Sequence, residues 1–272
     1  MLDKNLKCPG FDSRSIGVFD SGFGGLTIMK SLIEKLPSES IIYFGDSANA
    51  PYGDRTSSEI IKYATDAADF LAQKNIKILI IACNTACACA SKIIKQKLSI
   101  PVFEIITPSF QTVLKESKNY NIGVIATRAT IRSQIYKKLI EQHNPKARVL
   151  SLSCPLFVPL LEEGHFDNKL ALNLAEHYLK PLKKKKIDTL LLACTHYPLM
   201  KGIIQKVMGD DVKVIDPSLA CALNLLSFLE KNGISSLNAK PKYEFYTSGD
   251  TEKFKNIAEV FLEKKIDQVL KK

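Results

Sequence analysis

Two cysteines carry the chemistry this sequence offers. Cys83 ends the aliphatic run of ILIIACNTACACA and Cys194 ends that of TLLLACTHYPLM, 111 positions further on. Small polar residues follow each thiol at once, Asn84 and Thr85 after the first and Thr195 and His196 after the second. A sulfur takes up a proton as thiolate and gives one as thiol. Two of them on opposite flanks of one carbon could therefore invert its configuration, one removing the hydrogen and the other returning it from behind. Stereoinversion at a carbon acid is a reaction such a pair suits. The hydroxyls, amide and imidazole beside the thiols suit a carboxylate or an ammonium group.

Holding two thiols across a substrate demands two similar frames, and the sequence repeats itself. Short aliphatic runs alternate with longer amphipathic segments, the pattern of parallel strands joined by helical crossovers, so the fold class is α/β. Strands are expected at SIGVF, SIIYFG, IKILIIA, PVFEII, NIGVIA, RVLSLS, IDTLLLA, VKVID and YEFYTSG. Four recur in order. IGVF from Ile16 matches IGVI from Ile122, and IIYFGDS from Ile41 matches VLSLSCP from Val149. The cysteine runs follow, and PVFEIITPS from Pro101 matches VKVIDPS from Val212, all at offsets of 106 to 111. Such repetition predicts two similar parallel-sheet α/β lobes related by a pseudo-twofold, with the active site in the cleft between them. Each fourth strand leads through Pro-Ser into a helical pattern that can cross to the other lobe. The expected division is therefore 1–104 plus 217–272 for the first lobe and 105–216 for the second.

Ligands of open parallel sheets bind beyond the carboxyl ends of the strands, where both cysteines stand. A thiol at a helix N-terminus has its thiolate favoured by the dipole, so both are expected to ionise below the ordinary thiol range. The first loop, DSGFGGL from Asp20, has Thr27 where a dinucleotide fingerprint counted from Gly22 needs glycine. It reads as a tight turn presenting Asp20 and Ser21 to the cleft, and Asp46 only superficially as a ribose-binding acid.

Other features have plainer readings. Cys87 and Cys89 point to roughly opposite sides of a helix at about 100° per residue, so with Cys83 they make no metal site. Cys8, Cys154 and Cys221 are expected in the core, and His143, His165 and His177 at the surface. The net charge of +10 is densest at Lys183 to Lys186, a solvated turn. Without zinc-finger spacing or RNP-like aromatics, no nucleic-acid partner is expected. Seven cysteines, a polar MLDKNLKCPGFDSRS start and no long apolar run suggest a cytoplasmic protein without membrane contact.

The stretches VFDSGFGGLT, FGDSANAPYG, ACNTA, CPLFVPLLEEG and ACTHYPL, in order from Ile16 to about Asp216, resemble the glutamate racemases, the cofactor-independent two-cysteine enzymes of bacterial cell-wall synthesis. TSGD from Thr247 adds a fainter echo. The resemblance implies conversion between L-glutamate and D-glutamate for peptidoglycan, with no pyridoxal phosphate or metal. It makes Cys83 the group that takes the proton of D-glutamate and Cys194 the one that works on L-glutamate. Asp20, Ser21, Pro51, Tyr52, Gly53, Asn84, Thr85, Thr127, Thr130, Thr195 and His196 fall at substrate-contacting positions. Asp20 and His196 would tune the thiols, with either Glu162 or Glu163 as a helper. A homodimer is an assembly the resemblance leaves open.

Three positions depart from the family pattern: Glu104 and Ala193 stand where glycine is common, and Pro217 where serine is. Glu104, near the lobe junction, is expected to repel the substrate or alter regulation or rate. Alternative readings are a related aspartate racemase, which usually carries an acidic residue at the position of His196, and a one-cysteine decarboxylase. A catalytically weak member or a non-catalytic binding module is the third, although a binder has no need of paired thiols.

Overall fold

The computed structural model describes residues 11–272, so Cys8 lies outside the described residues. Its first half runs β1 (Ile16–Asp20), α1 (Leu26–Lys35), β2 (Ile41–Gly45), α2 (Ser57–Ala72), β3 (Ile78–Ile81), α3 (Asn84–Lys97), β4 (Val102–Glu104) and α4 (Ile106–Glu116). Then come β5 (Asn121–Ala126), α5 (Arg128–Ser133), α6 (Ile135–His143), β6 (Arg148–Ser153), α7 (Phe157–Glu162), α8 (Lys169–Lys183), β7 (Thr189–Ala193), α9 (Lys201–Met208) and β8 (Lys213–Ile215). The chain closes with α10 (Pro217–Lys231), β9 (Tyr243–Thr247), α11 (Thr251–Leu262) and β10 (Leu270–Lys271).

The strands form two all-parallel sheets, ordered β10-β9-β2-β1-β3-β4 and β6-β5-β7-β8. The order β2-β1-β3-β4 recurs as β6-β5-β7-β8, which is the sequence repeat expressed as topology. Strands such as ILII of β3 and TLLLA of β7 are buried on both faces, as helices on either side of a parallel sheet require. The period of two divides β7 between layers. Leu190 and Leu192 join a core with Phe157 and Leu179, while Leu191 and Ala193 join the core that runs on into the first sheet. A shared apolar core thus sets one sheet against the other.

All three departures are accommodated by local structure. Ala193 pairs with Ala126 in the β5–β7 ladder and is fully buried. Pro217 opens α10 directly after Asp216, whose carboxylate accepts from the Ser218 N–H at 2.9 Å. Proline suits the first helical position because its missing N–H would be unpaired there anyway. Glu104 corrects the expectation of a repelling charge. Its carboxylate turns into the first turn of α4, accepting from the N–H of Ile106 at 2.8 Å, the N–H of Thr107 at 3.2 Å and the Thr107 hydroxyl. A negative charge is favourable at a helix N-terminus, and Glu104 takes no part in lining the cleft.

Among the described residues, no helix is long and apolar enough to cross a membrane. Lys183 to Lys186 are exposed at the end of α8, and Cys154 and Cys221 are buried. Of the histidines, His143 and His177 are exposed, and His165 is half-buried. The short edge strand β10 was not expected, because its two residues carry no apolar alternation.

Candidate active site

The carboxyl ends of β1, β3, β5 and β7 converge on one narrow cavity. Cys83 and Cys194 both line it, together with Ser21, Pro51, Tyr52, Gly53, Asn84, Thr85, Thr127, Thr195 and His196. Gly22, Ala50, Val158 and Glu162 complete the lining. The cavity measures about 20 Å³, roughly the room of one water, so its walls must part to admit anything larger. Two expected contacts stand behind the wall. Thr130 shares hydrogen bonds with the hydroxyls of Thr85 at 3.2 Å and Thr127 at 3.1 Å. Asp20 is fully buried, accepting from the Gly22 N–H at 2.9 Å and the Thr195 hydroxyl at 3.2 Å.

Glycines let the two halves approach. A methyl at Gly24 would collide with the Thr195 hydroxyl and the His196 ring, and one at Gly53 would come within 2.8 Å of Thr127 Cβ. Within DSGFGGL, Gly24 is thus required by contact between the halves, and Gly25 by the closeness of Asp20 and the Tyr43 hydroxyl in its own half.

The thiols differ in their surroundings. Cys83 stands at the N-cap of α3, and its sulfur shares a 3.2 Å hydrogen bond with the Ser21 hydroxyl. Burial, followed by the negative charge of Asp20, pushes this thiol up to about 12. The expected lowering by the helix is corrected here, since desolvation outweighs a dipole effect confined to the first turn. Asp20 is itself raised by burial, against the pull of His196 and the donors around it. Cys194 is separated from the following α9 by a 3-10 turn. His196 is the N-cap of a 3-10 turn, Tyr197–Met200, with Pro198 inside it.

His196 joins the second thiol to a carboxylate. Its Nδ1 lies 3.9 Å from Cys194 Sγ, and its Nε2 is 3.1 Å from Glu162 Oε1. Burial works against a charged imidazole, but the bonds to Cys194 and Glu162 prevail and raise His196 to about 10. Glu162 ends α7 facing the cavity while Glu163 is exposed, which decides between the two glutamates.

Asp46 supports the loop that carries Tyr52. It accepts from the Tyr52 hydroxyl at 2.6 Å, from Ser248 Oγ at 2.6 Å and from Asn49 Nδ2 at 3.0 Å. The TSGD segment thus braces the cavity from the C-terminal part of the chain, a role its sequence alone did not announce. Gly22, Ala50 and Val158 were also missed as lining residues, although all three sit inside recognised stretches. Cys87 donates to the Ile81 carbonyl at 3.1 Å, and Cys89 is half-buried. Among the described residues, no group of three or more His, Cys, Asp or Glu side chains is placed to hold a metal ion.

Fold and site together define a two-sheet α/β protein with two thiols lining one cavity. Residues 16–225 match the family described as Asp/Glu/Hydantoin racemase, and the chain belongs to that family. It is 46% identical over 258 residues to glutamate racemase 2 of Caldanaerobacter subterraneus subsp. tengcongensis, covering 95% of this chain and 97% of the relative. Among solved structures it resembles a glutamate racemase isoform of Bacillus anthracis with a TM-score of 0.90 at 38% identity, covering 95% of this chain and 96% of the other. The glutamate racemase of Francisella tularensis subsp. tularensis, solved in complex with D-glutamate, matches with a TM-score of 0.89 at 43% identity, covering 95% and 97%.

Proposed function

We propose that this protein interconverts L-glutamate and D-glutamate by proton transfer between two cysteines. The observation that carries the reading is the meeting of Cys83 and Cys194, from corresponding strands, in one narrow cavity. In the L-to-D direction, the Cys194 thiolate removes the α-proton and leaves its electron pair on carbon. The Cys83 thiol then delivers its proton to the opposite face. One thiol and one thiolate have exchanged places, and exchange with solvent resets the pair. The reverse reaction uses the same groups in opposite roles.

The surroundings fit this division. Asp20 keeps the proton on Cys83, and a cationic His196, backed by Glu162, balances negative charge at Cys194. Ser21, Pro51, Tyr52, Gly53, Asn84, Thr85, Thr127 and Thr195 bind the substrate, with Thr130 and Asp20 supporting them from behind. Among the described residues no Lys or Arg lines the cavity, so hydroxyls and amides receive the carboxylates. The chemistry calls for no cofactor.

In this reading, residues 1–104 with 217–272 and residues 105–216 act as two lobes that open for substrate and close around it. The enzyme works in the cytoplasm and supplies D-glutamate for peptidoglycan. A homodimer is a compatible assembly for such an enzyme. Incubation of the purified protein with L-glutamate in heavy water, with no added cofactor, is expected to yield D-glutamate deuterated at Cα. D-glutamate that retains the original hydrogen would rule out exchange through protein acids, and absence of D-glutamate would end the proposal.

A further inference from the structure

Asn84 opens α3 at the cavity wall, only 2% exposed, and the two ends of its carboxamide meet different fates. Oδ1 accepts a 2.5 Å hydrogen bond from the Tyr136 hydroxyl. Nδ2, also buried, has no partner. A buried donor left unpaired is costly, and its presence in a cavity wall points to a ligand acceptor. Rotating a carboxamide by half a turn swaps donor and acceptor with little change of shape, so whatever grips one end decides which end faces the ligand. Tyr136 supplies that grip. It is buried, it does not line the cavity, and burial holds its hydroxyl well above the ordinary phenol range, so its proton is retained.

We infer that Tyr136 is a positioning residue: by holding Asn84 Oδ1 it turns the Nδ2 donors into the cavity, where they receive a carboxylate oxygen of the substrate and not its ammonium group. The inference rests on the glutamate reaction proposed above and adds the group that orients one of its contacts. Tyr136 lies on α6, which packs on β6 of the second sheet, whereas Asn84 follows β3 of the first. The hydrogen bond therefore crosses between the halves. Asn84 is oriented for substrate only while they are together.

The test compares glutamate racemisation by the wild type, Tyr136→Phe, Asn84→Ala and the double variant, with thermal unfolding of each. Tyr136→Phe is expected to raise KM roughly tenfold with kcat within about twofold, the mark of a lost binding contact. Adding Tyr136→Phe to Asn84→Ala should change KM no further, because both act through one amide. An unchanged KM in Tyr136→Phe, or effects that multiply independently in the double variant, overturns the inference while leaving the racemase reading intact. If Tyr136→Phe does not fold, Asn84→Asp carries the test. It keeps an acceptor for Tyr136 and replaces the donor with an anion, so KM should rise by roughly a hundredfold with the unfolding midpoint near that of the wild type; an unchanged KM there is equally fatal. A wild type that does not racemise glutamate overturns the parent reading, and this inference with it.

Discussion

The wall carrying Cys83 and the wall carrying Cys194 are built from corresponding strands, β3 and β7, and diverge immediately after the sulfur. Cys83 caps a helix of 14 residues yet faces the buried carboxylate of Asp20. Cys194 runs into a short 3-10 turn yet faces a histidine that stays charged to about pH 10. Backbone symmetry coexists with opposite electrical surroundings. For a racemase this asymmetry has a strict limit, because enantiomers have equal free energies. At any pH, kcat/KM must be the same in both directions, and unequal walls can only shift kcat and KM together.

The harshest test of the comparison is removal of either sulfur. Cys83→Ser and Cys194→Ser should each lower racemisation at least ~1000-fold, followed by polarimetry from either enantiomer. Normal turnover by both variants would mean the walls are not partners. His196→Asn should act more mildly, reducing kcat/KM roughly 100-fold and by the same factor from L- and D-glutamate. Unequal factors would show that the measured reaction is not simple racemisation.

A pH series isolates the second wall. His196 is raised from 6.5 to about 10 in the folded protein, so its proton stabilises the native state fully below pH 6.5, and that contribution is lost as pH rises through about 10. The thermal midpoint of the wild type should fall across this window relative to that of His196→Asn. Parallel curves would deny His196 its raised proton affinity. The smallest effect belongs to the fourth strands, where Glu104 and Asp216 both serve a following helix. Glu104→Ala should cost about 1 kcal/mol in urea unfolding and leave kcat/KM unchanged. A change in kcat/KM would bring Glu104 back into the site.

Legibility followed the physics of each feature. The paired thiols, the α/β class and the repeated strand order were open to reading because strands buried on both faces appear as unbroken aliphatic runs. Pro198 in THYPLM signalled a turn different from the helix after Cys83, a hint the repeat obscured. The raised thiol of Cys83 could not be read, since desolvation depends on how closely the two halves meet. Choosing Glu162 over Glu163 required the rotational phase at the last residue of α7. Tyr136 looks like an ordinary core aromatic on an amphipathic helix, and its partner is 52 residues away in the chain.

The brace formed by Ser248 and Asp46 bears on how the protein is made. β9 inserts beside β2, and Ser248 reaches Asp46 across 202 positions of chain, so the first sheet cannot be finished while the ribosome still holds the C-terminal segment. The inner strands of both sheets emerge earlier and can assemble among themselves, but Tyr52 gains its full support only near release. A nascent chain stalled before residue 243 would carry both sulfurs and still lack a fastened loop to close over them.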